Sequence, residues 1–259
     1  MASLDELLEQ GRELLEEGEA GKALAVLRQA EKRAPDHFEL CLLLGEILAA
    51  QGKLDEAHAA LGRAQAIEPD NLDLLYASGD LHLEQGHAEE ALDCYRRIVE
   101  LDAGEDDAWV SQALVHIACE RPREAEEACR RALQVAPESP FALNTLGDVC
   151  GALGQEEEAL ACYRKVLELD PGDAQAHLNL GEYYYDSGDL PHAEKHCRKA
   201  IETDPELTYA CLTLGNICMD QDRNADAIHW FQQFLNLEKN PLAKDIRDEV
   251  AAVIEGLKG

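Results

Sequence analysis

The chain has 259 residues, with 53 acidic against 23 basic side chains and a formal net charge of −30. Such a surplus repels phosphate backbones and anionic bilayers, which excludes nucleic acid and membrane as partners and favours a basic protein partner. Nine cysteines occur on helical stretches without a CxxC pair, six of them (Cys41, Cys129, Cys150, Cys197, Cys211, Cys218) at core places, and the N-terminus has neither a basic start nor an apolar run, so the expectation is a cytoplasmic protein with reduced thiols.

From Leu4 onward the apolar residues keep a helical period, and the pattern restarts every 34 residues. Seven units fit without insertion: 4–37, 38–71, 72–105, 106–139, 140–173, 174–207 and 208–241. Their eighth places are Gly11, Gly45, Gly79, Ala113, Gly147, Gly181 and Gly215, and their twentieth places are all alanine, from Ala23 to Ala227. Small residues there let two helices approach closely. A turn glycine (Gly18, Gly52, Gly86, Gly154, Gly188) ends the first helix in the left-handed conformation. Pro35, Pro69, Pro137, Pro171 and Pro205 end the second, with Ala103 and Lys239 where proline is missing. Two antiparallel helices cannot bury their own faces, so the units stack into one elongated domain.

The fourth unit departs most from the pattern. Ala103-Gly104 precedes it, its turn is Glu120-Arg121-Pro122-Arg123, and its inner face of Val110, Leu114, Ile117 and Ala118 is the least charged. It is either a degenerate repeat or an apolar hot spot. Basic pairs such as Arg96-Arg97, Arg130-Arg131 and Arg164-Lys165 complement the dipole late in each second helix, and Glu126, Glu127 and Glu168 neutralise them. The last segment, 242–259, has Leu242, Ile246, Val250, Ile254 and Leu257 on one helical face. It reads as a cap over the last unit, with a docking or dimerisation helix as the other reading.

The small residues at places eight and twenty, an aromatic or aliphatic at place twenty-four (Leu27, Leu61, Tyr95, Tyr163, Phe231), the late proline, Trp109 and Tyr184 together resemble the tetratricopeptide repeat over residues 4–241. The resemblance implies an all-α fold, a right-handed superhelical α-solenoid of antiparallel helix pairs, and a protein-binding scaffold or adaptor, co-chaperone-like in role. It also implies that ligands meet the first helices on the concave face. Carried over place by place, the groove offers Glu39, Asp73 and Asp107, then Glu46, Asp80, Asp148 and Glu182 for charge. Tyr76, Val110, Leu114, Ile117 and Tyr185 are the anchors, with Asn144, Asn179 and Asn216 as polar contacts. An apolar floor beside carboxylates suits a basic-apolar peptide or helix of a partner protein. The three asparagines could instead form an irregular ladder along an extended peptide. The family's clamp for the acidic C-terminal tail of heat-shock chaperones is rejected, because its lysines and arginine are missing from the required places.

His192 and His196 stand four apart with Cys197 adjacent, but no HExxH occurs and Cys197 points to the core, so no metal is expected. His82, His116 and His177 occupy core places and are expected to hydrogen-bond internally. No phosphate loop, nucleophile elbow or catalytic carboxylate pair stands out, so neither a cofactor nor an enzyme is expected. The alternatives to an adaptor are a self-assembling homo-oligomeric scaffold and a non-catalytic subunit or regulator of an enzyme complex.

Overall fold

A capping box opens the first helix: the Ser3 hydroxyl accepts the Glu6 N–H at 3.1 Å, and the Glu6 carboxylate accepts the Ser3 N–H at 2.7 Å. The computed structural model describes residues 2–240 and 243–258, and its regular elements among those residues are all helices. The first helices of the repeats are α1 (Leu4–Glu16), α3 (Phe38–Ala50), α5 (Leu72–Glu84), α7 (Asp106–Ala118), α9 (Pro140–Ala152), α11 (Ala174–Asp186) and α13 (Thr208–Asp220). Their partners are α2 (Ala20–Glu31), α4 (Leu54–Ile67), α6 (Ala88–Leu101), α8 (Pro122–Val135), α10 (Glu156–Leu169), α12 (Leu190–Thr203) and α14 (Asn224–Leu237), followed by α15 (Lys244–Lys258). No helix among the described residues is long and apolar enough to cross a membrane.

The chain forms two compact units, Met1–Pro137 with α1–α8 and Glu138–Gly259 with α9–α15. Within each, the two helices of a repeat pack as an antiparallel pair, and a second helix packs on the next first helix, as α6 does on α7 and α12 on α13. This is an all-α solenoid of helix pairs.

The turn between paired helices requires a positive φ. Gly18, Gly52, Gly86, Gly154 and Gly188 take it at 70–79°, and Glu120 and Asp222 take the same place at 56° and 58°. The proline expected to stop the second helix is not what stops it in repeat three. There α6 ends at Leu101 although Ala103 replaces proline. The Asp102 carboxylate accepts the Gly104 N–H at 2.8 Å, the same turn that Asp170 makes with Gly172.

Small residues make the helix pairs possible, and the twentieth-place alanines are at most 1% exposed. A Cβ on Gly147 would lie 2.3 Å from a ring carbon of Tyr163, and one on Gly215 would lie 2.3 Å from Phe231. The place-twenty-four side chain is therefore seated over the glycine of its partner helix.

In the C-terminal unit Val250 and Ile254 of α15 are buried in a cluster with Phe231, Phe234, Cys211 and Cys218. Ile246, expected on that buried face, instead remains 37% exposed in the first turn. Leu242, the first residue expected in this helix, lies outside the described residues, as do Pro241 and Gly259.

Candidate protein-binding clefts

The repeat register sets a carboxylate beside each seated tyrosine. Tyr95 donates its hydroxyl to Asp80 at 2.5 Å and Tyr163 donates to Asp148 at 2.7 Å. Both pairs tie place twenty-four to place nine, one residue beyond the glycine seat. The carboxylates are thereby fixed at the mouths of two clefts, one in each unit.

The first cleft, about 440 Å³, is lined by Arg12, Glu39, Leu42, Leu43, Glu46, Asp73, Tyr76, Ala77 and Asp80. It joins five of the residues expected in a groove: Glu39, Glu46, Asp73, Tyr76 and Asp80. Arg12 donates to Glu39, which neutralises one end. Loss of surrounding water, and then the charge of Asp73, raise the pKa of Glu46. Tyr76 donates to Glu105 at 3.1 Å.

The second cleft, about 430 Å³, lies in the C-terminal unit. Asp148, Glu156, Glu182 and Asp186 surround Tyr163, Tyr183 and Asn179. Asp148 is pushed up to about 6, chiefly by loss of water, against the opposing hydrogen bond from Tyr163. Glu182 is pushed up to about 7 by loss of water and by the charges of Asp148 and Asp186, with the Thr213 hydroxyl opposing. Both side chains still present a face to solvent.

These shifts make a stability prediction. A carboxylate whose folded pKa lies above its unfolded value destabilises the fold progressively as pH rises from about 4.5 to about 7. Glu182→Gln, which does not titrate, should therefore be more stable than the wild type at pH 8. A gain of about 1 kcal/mol is expected once solvent screening is allowed for, and it should vanish near pH 4. Paired thermal melts at the two pH values check it, and an equal difference at both would refute the assignment.

Other expected groove residues fall elsewhere. Val110 is 0% exposed, so as an anchor it is corrected to a core side chain. Leu114 and Ile117 are open to solvent at 38% and 41%, but with Asp107 they line neither cleft. Asn144 and Asn179 are buried, and the Asn179 amide donates to Asp148 at 2.8 Å while accepting from Gln175. That amide is committed within the fold rather than offered to a peptide backbone. Tyr185 donates to Asp220 at 2.9 Å, and Asn216 is half-buried on α13.

Sequence reasoning left Glu156, Tyr163, Tyr183 and Asp186 out of the groove. The signal for Tyr163 was present, because the fifteen-residue interval from Asp80 to Tyr95 recurs from Asp148 to Tyr163.

The histidines divide. His177 bonds His196, Nδ1 to Nδ1 at 3.0 Å, and the Pro171 carbonyl, while His192 pairs with Asp189. His192 and His196 thus turn to different partners. The Nδ1 atoms of His82 and His116 are buried without a hydrogen-bond partner, which corrects the expectation of internal bonding for both. The second-helix arginines are held by nearby acids, as Arg130 is by Glu126 and Arg97 by Asp70 and Glu100.

Tetratricopeptide repeat models match residues 14–67, 48–114, 106–139 and 174–207, and a TPR repeat model matches 147–188. No curated protein sequence matches the chain. Among solved structures it is similar to a tetratricopeptide repeat protein from Parabacteroides merdae ATCC 43184, at 20% identity over 99% of both chains with a TM-score of 0.78. It is also similar to a chain of the APC/C hetero-tetramer Cut9–Hcn1, at 16% identity over 96% of this chain and 49% of that one, with a TM-score of 0.68. Pseudomonas aeruginosa pilF matches at 18% identity over 78% and 92% of the two chains, with a TM-score of 0.62. At these identities the likeness is one of fold, while the models and the repeated register give the lineage: the chain belongs to the tetratricopeptide repeat family.

Proposed function

We propose that this protein is an adaptor, and that each of its two acidic clefts grips a basic-apolar segment of a partner protein. Tetratricopeptide repeats are scaffolds for protein–protein contacts, and the finer reading rests on cleft chemistry. The observation that carries it is the pair Asp148 and Glu182. Both are held above their ordinary pKa in a cleft whose lining residues include no lysine or arginine. Asp148 holds Tyr163 and Asn179, but the lining supplies no cation to either carboxylate. A partner's ammonium or guanidinium group would favour the charged form of both carboxylates. Tyr163 and Tyr183 give its aliphatic stem a surface to lie on.

The reading predicts proton release. An amphipathic peptide with lysine or arginine beside leucine anchors, selected from a synthetic library, should bind more tightly at pH 8 than at pH 5.5. At pH 6.5 binding should expel protons as Glu182 and Asp148 ionise. Calorimetry in two buffers of different ionisation enthalpy measures this directly. Binding without proton release, or tighter at the lower pH, would overturn the role of the second cleft.

A further inference from the structure

Repeat four carries a second kind of cleft, of about 350 Å³, lined by residues of α7 and α8. Its floor is Trp109, Gln112 and His116, at places four, seven and eleven of the repeat. In repeat two the same places hold Cys41, Leu44 and Leu48, and in repeat five Leu143, Leu146 and Cys150, all buried core residues. Single polar residues occur there elsewhere, as Gln10 in repeat one and His82 in repeat three, but repeat four is the one that combines an aromatic, an amide and an imidazole.

Two polar atoms on that floor have no partner. Gln112 is only 6% exposed, yet its Nε2 donates to nothing, and one turn away the Nδ1 of His116 is also buried and unpaired. An unmade hydrogen bond on a buried donor destabilises a fold, and leucine at the same place in repeats two, five, six and seven shows that this one does not need the amide. The walls carry both signs, Glu124 and Glu127 beside Arg131, and the Arg131 guanidinium lies 4.0 Å from Glu127. His116 is held below its usual pKa, first by loss of water and then by Arg121 and Arg96 against Glu124 and Glu89, so it is neutral near pH 7.

We propose that this cleft is a second binding site that takes the side-chain carboxamide of a glutamine or asparagine from a partner protein. A carboxamide offers an oxygen to Gln112 Nε2 and both a donor and an acceptor to His116, so it fits whichever imidazole tautomer is present. Its planar face lies on Trp109. A side chain rather than a main-chain amide is specified because both unpaired atoms are buried, and a group on a stem is needed to reach them.

The test is a nitrogen-15 NMR titration of the full chain with blocked glutamine (N-acetyl-glutamine amide), alongside blocked glutamate and blocked lysine. Blocked glutamine should shift the Trp109 indole and Gln112 amide resonances saturably, in the millimolar range. It should bind at least fivefold tighter than the two charged probes. Gln112→Leu, which restores the residue found in other repeats, should weaken binding at least tenfold while the melting temperature holds or rises. Absence of a saturable shift in the wild type overturns the proposal without reference to any variant. So does an equal response to all three probes, or binding that survives in Gln112→Leu or in the second variant, Gln112→Met.

Discussion

Alanine in place of Gly147 is expected to cost the C-terminal unit about 2 kcal/mol of stability, and the same exchange at Gly151 to add about 1 kcal/mol. Both glycines lie in α9, four residues apart. Helix propensity favours alanine at each by about 1 kcal/mol, so the sign is decided by what a methyl group meets. At Gly151 nothing lies within 4 Å. At Gly147 the methyl would sit 2.3 Å from one carbon of the Tyr163 ring and 2.8 Å from two others. That ring is 5% exposed and its hydroxyl is bound to Asp148, so it yields only by breaking a hydrogen bond or displacing α10. Overpacking of this kind costs about 1–3 kcal/mol or more, which exceeds the propensity gain. Urea unfolding followed by circular dichroism checks both variants, and a Gly147→Ala protein as stable as the wild type would remove the seat from the account.

Reversing one carboxylate in each cleft should have the largest effect on binding. Glu46→Lys with Glu182→Lys leaves Asp80 and Asp148 in place, so both tyrosine hydrogen bonds survive. Each reversal replaces an attraction for a basic side chain by a repulsion, at a loss of about 2 kcal/mol or thirtyfold in affinity. The clefts lie in separate units, so each reversal is read on the segment held by its own cleft, as about a thirtyfold loss there. The wild-type affinity should also fall about tenfold between 50 and 300 mM salt, and the doubly reversed protein should show no such fall. Titration of the selected peptide by fluorescence anisotropy measures both. Single reversals that change nothing would move the binding surface away from the clefts.

The fold was readable because its determinants are local and recur. Each first helix begins where the 34-residue register restarts, and the glycine at place eight is covered by the place-twenty-four side chain of the same repeat, a leucine, tyrosine, phenylalanine or cysteine. The clefts were readable only in part, since exposure is not a property of a place in the repeat. Place five supplies the half-buried Tyr76 of the first cleft, but also Val110 and Asn144, which are buried. Which occurs depends on how closely the neighbouring helix approaches, and single-helix periodicity carries no such information. The carboxylates came through better, because charge keeps them near water in any packing. Gln112 was hidden for the opposite reason. It stands at a core place, and only the missing partner of its amide distinguishes it from an ordinary interior side chain.

The short reach of the interhelical bonds has a kinetic consequence. Tyr95 finds Asp80 and Tyr163 finds Asp148 across fifteen residues, and His177 finds His196 across nineteen. Few distant stretches of chain must meet before these contacts form, so the entropic barrier to each hairpin is small and the search for it is fast. Because one helix pair cannot bury its own faces, each hairpin emerging from a ribosome becomes stable only as the next one stacks on it, so folding can follow synthesis from unit to unit.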